Sequence, residues 1–319
     1  MPAVTADTLA LPRLAAPDAT ARVRPLSRLV TAMRTLEGAG FEVRRPFPGR
    51  ISLHQADPFL LLDHMGGREL APYEAKGAPD HPHRGFETVT YLLDGQIEHR
   101  DSHGGGGIIS GGDTQWMTAG GGLVHSEMPT HELYVKGGAM NGVQLWVNLP
   151  RSDKLATPRY QDLTGDQLTL LASADGGALL RLVAGEMAGH RGPGDTHTPI
   201  TYVHATVHPG AELRLPWRTD FNAMVYVLDG DGFVTQERSP ITEGQMALLG
   251  EGDAIVVAAA DSQPTNVAGL EVLLLGGRPI REPIMHWGPF VMNTRDEIRQ
   301  ALDDYQAGRM GTIPPRPTN

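Results

Sequence analysis

Residues 81 to 131 hold six of the chain's thirteen histidines, and four side chains in that stretch stand at spacings that suit metal chemistry. His81 and His83 form an H-x-H pair; His125 and Glu127 form an H-x-E pair. Successive side chains of a β-strand alternate between its faces, so a spacing of two points both members of each pair to one side. Two such strands facing one another inside a barrel would present three imidazoles and a carboxylate to a single ion. That donor set suits a first-row divalent metal of the iron, manganese, nickel, copper or zinc group, with one His more than the 2-His-1-carboxylate triad of non-haem iron oxygenases. The four donors leave a divalent ion with a net charge of about +1 and, in octahedral geometry, room for water, substrate or dioxygen. Open positions are a catalytic design more often than a structural one. Glu87, four residues beyond His83 and on the same strand parity, is a second carboxylate that geometry alone admits. His54, His64, His99, His103 and His131 each read as a hydrogen-bonded core or surface histidine. Arg84 alternates away from His83 and is expected in a surface or loop role.

The elements that must position these residues are short strands. Phe86, Val89, Tyr91 and Leu93 lead into the turn pair Asp94-Gly95 and predict a strand closing in a tight hairpin, with Gln96 to Arg100 as the return. Gly120-Gly121-Gly122 lets the backbone turn sharply just before His125. Phe59 to Leu62 is an apolar run of strand length, and Val143, Leu145 and Val147 alternate against Gln144 and Trp146. Gly66 to Asp80 reads as a loop over a barrel mouth, a candidate lid. Gly104 to Gly107 is a turn; without a following Lys-Ser/Thr and helix it is no phosphate loop. Phe59, Phe86, Trp116 and Met117 are candidates for an apolar mouth that would admit a flat aromatic.

Gly and Pro, 39 and 25 of 319 residues, favour many strands joined by turns over long helices. An internal repeat appears as well. Thr88 to Gly95, TVTYLLDG, is answered by Ala223 to Gly230, AMVYVLDG, and Gly112-Asp113 by Gly252-Asp253. The second copy lacks the imidazoles: Pro216, Arg218 and Asn222 fall where His81, His83 and Glu87 stand, and no histidine lies between His208 and His286. Near the end, Thr294-Arg295-Asp296-Glu297 is a capping box, Ile298, Leu302 and Tyr305 share a helix face, and Gly308 supplies the stop. The resulting division is an arm (1–25), a metal-binding barrel (26–150), a connection (151–178), a second barrel with the helix (179–310) and a disordered tail (311–319).

H-P-H-R-G-F-E-T-V-T-Y, H-R-D-S-x-G and Q-W-M-T-A-G-x-G-x-x-H-S-E-M-P closely resemble the pirin branch of the cupin superfamily. Upstream, Glu37 to Gly40, Val43 to Pro48, Asp57 to Phe59 and Leu62 to His64 fit the same pattern; downstream the likeness is looser and runs to about residue 310. The resemblance implies an all-β fold of two tandem cupin barrels (double-stranded β-helix, jelly-roll) with a C-terminal α-helix. It implies metal in the first barrel only, held by His81, His83, His125 and Glu127, the carboxylate coming from the second motif with Glu87 in reserve. Fe(II) is the implied metal, with nickel, manganese, copper, zinc and cobalt as alternatives. Quercetin 2,3-dioxygenase activity is implied for some members, a flavonol and O2 being the substrates and Glu127 ligand and general base. Other members act as redox-sensing regulators that bind a transcription factor or a metabolic enzyme.

A net charge of −10 and pI near 5.7 disfavour direct nucleic-acid binding, which needs a basic face. The absence of cysteine removes disulfides and thiolate ligands and fits a reducing compartment. No run of about 18 apolar residues is present and the first residues lack a signal-peptide pattern, so a cytoplasmic protein without membrane attachment is expected.

Overall fold

The computed structural model describes residues 3–265 and 267–315, and its contacts divide the chain into two compact units. One comprises Arg34–Arg45, Pro58–Thr164 and Ile280–Asn319; the other comprises Met1–Met33, Pro46–Asp57 and Gly165–Pro279.

In the first unit a four-stranded sheet runs in the order Ala78–His83, Leu123–Pro129, Gln96–Asp101, Gly106–Ser110. An eight-stranded sheet runs Arg159–Leu163, Thr114–Thr118, Phe86–Asp94, Gly138–Asn148, Phe59–His64, Phe41–Phe47, Met33–Glu37, with Arg68–Leu70 added against Gly138–Met140. Register assigns the faces of the larger sheet, because residues directly opposite one another share a face. Thr90 lies opposite Gln115 and Gln144, and Thr88 opposite Met117 and Trp146. These residues face the four-stranded sheet, since Thr90 and Gln144 both bond Glu127 on it. Glu87, Val89 and Tyr91 point to the other side.

The second unit repeats this plan. Its seven-stranded sheet runs Leu26–Thr31, Gln245–Leu249, Ala223–Asp229, Leu270–Gly277, Ile200–Val207, Ala178–Ala184, Thr169–Ala172, and its four-stranded sheet Glu212–Pro216, Ala254–Ala259, Asp231–Val234, Ser239–Thr242. The repeated Asp-Gly turns match in detail. Gly95 and Gly230 have φ of 88° and 86°, which favours glycine, and each donates its amide to the preceding Asp Oδ1 at 2.8 Å. Where the first unit carries its histidine strands, the second carries Leu213, Leu215, Ile255 and Val257, all in one apolar core with strands of both sheets. Each such side chain contributes about 1.5–3 kcal/mol by leaving water.

Chain order and unit membership differ at both ends. Residues 3–25, expected as a loose arm, lie along the second unit: Leu14 is buried, its amide bonds the Ala172 carbonyl, and Val23 bridges to Ala254. Strand Leu26–Thr31 pairs with Gln245–Leu249, while Arg159–Leu163, expected within a connection, pairs with Thr114–Thr118 beside the histidine sheet. The expected lid contributes the strand Arg68–Leu70 and the start of Ala78–His83.

The helix forms over Arg295–Gln306 with the predicted capping box: Thr294 accepts from the Glu297 amide, and Glu297 accepts from the Thr294 amide. Its buried side chains are Ile298 and Ala301, with Leu302 partly buried, packed with Phe290, Met292, Met310 and Val124. Val124 precedes His125, so the helix braces a histidine strand. Residues 311–315, expected in a disordered tail, include Ile313 against that cluster and Pro314, whose carbonyl accepts from Arg100. Residues 1, 2 and 316–319 of the expected arm and tail lie outside the described residues. No helix of the described residues is long and apolar enough to cross a membrane.

Candidate metal centre

Antiparallel pairing places His125 directly opposite His81 on the neighbouring strand and Leu123 opposite His83. His81, His83, His125 and Glu127 therefore share the face of the four-stranded sheet that looks into the barrel. A bulge after His125 sets Glu127 opposite Ala78 on one side, while on the other Glu127 pairs with His99. The three imidazoles converge: each offers a ring nitrogen within 4.8 Å of the others, and ring centroids are 4.3 to 4.8 Å apart. Among the described residues this is the one His/Cys/Asp/Glu group with that geometry.

Hydrogen bonding turns the rings toward a common centre. His81 Nδ1 donates to the Pro79 carbonyl at 2.7 Å, and His83 Nδ1 to the Pro289 carbonyl at 3.3 Å, which leaves the Nε2 lone pairs facing inward. His125 Nδ1 lies 3.4 Å from His99 Nδ1, and its buried Nε2 has no hydrogen-bond partner in the protein. An unpaired buried polar atom costs about 1–3 kcal/mol, which coordination to an ion would offset. Burial first, then the neighbouring His81, pulls the His83 imidazole well below its usual range despite the opposing bond to Pro289. Burial, followed by His83, His81 and His99, does the same to His125. Rings that stay neutral are in the form a metal requires. The donors thus fit a divalent ion.

Glu127 is held from the opposite sheet. Thr90 Oγ1 donates to Oε1 at 2.7 Å and Gln144 Nε2 to Oε2 at 2.8 Å, and Trp146 Nε1 donates to Gln144 Oε1 at 3.1 Å, fixing that amide. Its carboxylate is outside the group of three converging nitrogens, on the same barrel face. Glu87 is elsewhere. The chain turns at Arg84-Gly85 and enters the other sheet at Phe86, so parity counted from His83 does not carry over. Glu87 accepts from Trp116 Nε1 at 3.2 Å and Thr118 Oγ1 at 2.9 Å on the face turned away from the histidines.

That turn is tied down on all sides. Gly85 has φ of 89°, and a Cβ there would run into the Val291 carbonyl. Arg84, expected in a surface or loop role, is buried, pairs with Asp304 at 2.7 Å and donates to the Gly121 carbonyl. Lys154 Nζ donates to Gly85 O, Asn148 Oδ1 and Val291 O at 2.7, 2.5 and 2.9 Å. Burial pulls its ammonium down to about 7.

Of the four aromatic and apolar residues expected at the mouth, Phe86 packs 5.0 Å from His83 and Met117 lies on the site face. Trp116 and Phe59 are on the opposite face, and all four are fully buried. A half-buried aromatic beside the histidines is Trp146, 5.1 Å from His83 and 4.4 Å from Phe86. Its signal was present in the sequence as the alternation of Gln144 and Trp146 against Val143, Leu145 and Val147. His99, read as a hydrogen-bonded core or surface histidine, is buried and lines the barrel interior with Gln115 and Tyr160, which were not singled out. His99 occupies an alternate position on the return strand, the one signal that could have marked it.

The Pirin family model matches residues 40–147, and the model of the Pirin C-terminal cupin domain matches residues 202–311. The chain belongs to the pirin family. Both β-sandwiches are therefore cupin domains, as the motifs implied. A Pirin-like protein of Solanum lycopersicum is 43% identical over 291 residues, covering 91% of this chain and 94% of that one. The crystal structure of a quercetin 2,3-dioxygenase from Acinetobacter baumannii, 34% identical, superposes with a TM-score of 0.84 over 92% of this pirin and 100% of that chain. A bacterial pirin from Escherichia coli, crystallised in complex with nickel(II), shares the fold at 18% identity and a TM-score of 0.57, over 79% of this chain and 100% of its own.

Proposed function

We propose that this pirin is an Fe(II)-dependent dioxygenase that opens the central ring of a flavonol such as quercetin with release of carbon monoxide. The observation that carries the reading is the convergence of His81, His83 and His125, with an unpaired Nε2 on His125, beside the anchored carboxylate of Glu127. The likeness to the Acinetobacter baumannii quercetin 2,3-dioxygenase supports it. A bound iron would supply Lewis acidity toward the flavonol oxygens and electrons toward O2. Nickel, manganese, copper, zinc or cobalt fit the same donors, and nickel is the metal of the Escherichia coli relative.

Glu127 serves as fourth ligand and as the base that takes the flavonol hydroxyl proton, with Thr90 and Gln144 holding its two oxygens ready. Trp146, half-buried and backed by Phe86, is the apolar surface against which a flat ring stacks. Iron-loaded wild type, compared with Glu127→Gln under air and under argon, should consume O2 and bleach the flavonol in the wild type alone. A wild type no faster than free Fe(II) would refute the enzyme, and the redox-sensing regulator that binds a protein partner would take its place.

A further inference from the structure

His125 is the one converging histidine whose Nδ1 meets another side chain instead of a backbone carbonyl. That side chain is His99, 3.4 Å away from Nδ1 to Nδ1, with ring centroids 5.1 Å apart. Gln115 Nε2 also approaches His99 Nδ1, at 2.6 Å. With Gln115 Nε2 and His125 Nδ1 taken as the donors, His99 Nδ1 is the acceptor and that ring's proton sits on Nε2. There it faces Asp101 Oδ2 at 3.6 Å, while Asp101 Oδ1 is fixed by the amides of His103 and Gly105 at 2.7 and 2.9 Å. Tyr160 stacks on His99 with centroids 5.2 Å apart and planes inclined by 21°. His125, Gln115 and Tyr160 thus contact a fully buried ring, and Asp101 stands beside its Nε2, which has no hydrogen-bond partner within the protein.

We infer that His99 is a positioning residue of the metal centre. By accepting the Nδ1 proton of His125 it fixes that ring's tautomer and orientation and presents Nε2 to the ion, with Asp101, Gln115 and Tyr160 holding His99 in place. The inference rests on the reading that His81, His83 and His125 bind a metal. It explains why a return-strand histidine is buried among polar atoms: outer partners of metal-bound histidines are worth about 10- to 100-fold in metal affinity.

Two measurements test it. In metal-free wild type, long-range ¹H–¹⁵N spectra of histidine-labelled protein should show His125 protonated at Nδ1; protonation at Nε2 overturns the inference. Second, nickel(II) affinity is measured by competition with a chelator for wild type, His99→Phe and His99→Gln. Phe keeps the stack on Tyr160 but has no acceptor, and should weaken nickel binding about 10- to 100-fold; Gln offers an amide oxygen and should recover most of the loss. Unchanged affinity in His99→Phe overturns the inference while leaving the metal site intact. A wild type that binds no nickel refutes the metal reading on which the inference rests, an outcome distinct from unchanged affinity in His99→Phe. Should His99→Phe fail to fold, the wild-type spectrum alone is decisive.

Discussion

Exchanging Glu87 and Glu127 for Gln, one at a time, separates a carboxylate that holds a sheet face together from one that serves an ion. Glu87 is fully buried and accepts from the Trp116 indole and the Thr118 hydroxyl. Hydrogen bonds to a charged acceptor contribute about 1.5–3 kcal/mol each and neutral ones about 0.5–1.5. Glu87→Gln weakens one bond and turns an NH2 toward the other donor. Relief of a buried charge offsets part of that loss, so the expected destabilisation is about 1–3 kcal/mol. Metal content should not change, because the side chain lies on the face turned away from His81, His83 and His125. Glu127→Gln keeps an oxygen for Thr90 but sets an NH2 against Gln144, at a cost of about 1–2 kcal/mol. Loss of a ligand should weaken nickel binding by more than the roughly 10- to 100-fold expected of an outer-shell change. Urea unfolding of the metal-free proteins gives the stabilities, and chelator competition gives the affinities. Equal loss of affinity in both variants, or a larger loss in Glu87→Gln, would refute the assignment of faces.

Lys154→Met leaves the Gly85 and Val291 carbonyls and the Asn148 amide oxygen without their ammonium donor and should lower stability by about 2–5 kcal/mol in urea unfolding. A loss under about 1 kcal/mol would show that water replaces it. The histidines give a pH signature with a definite sign. Both His83 and His125 have folded values below the unfolded value near 6.5, so the unfolded chain takes up protons that the fold refuses. The stability they contribute is present above about pH 6.5 and is lost as pH falls below it, by up to about 1.4 kcal/mol per pH unit per ring. Metal-free wild type should therefore lose more stability between pH 7 and 5 than His83→Asn/His125→Asn; parallel curves would refute the burial argument.

The all-β class, the repeated turn, the helix and the H-x-H and H-x-E pairs were legible because each rests on a short-range rule, while the meeting of His81, His83 and His125 in one site was implied by the resemblance. Period-two spacing, Asp-Gly turns and a capping box act within a few residues. What was not legible depends on long-range pairing. Leu26–Thr31 fell within the expected first barrel and Arg159–Leu163 within the expected connection, and only their partners, Gln245–Leu249 and Thr114–Thr118, say to which sheet each belongs. The parity count that admitted Glu87 failed because two residues of turn carry the chain from one sheet into another. Likewise Trp116 and Phe59 are as apolar as Phe86, and only register shows that they face away. His99 looked like any other histidine because its role lies in a cross-strand neighbour 26 residues away.

Metal analysis of the purified protein and its single variants addresses the central claim most directly. Wild type dialysed against Fe(II) or nickel(II) should hold close to one ion per chain, with His81→Ala, His83→Ala and His125→Ala losing most of it and His54→Ala and His131→Ala keeping it. Full metal content in His83→Ala and His125→Ala would contradict the site.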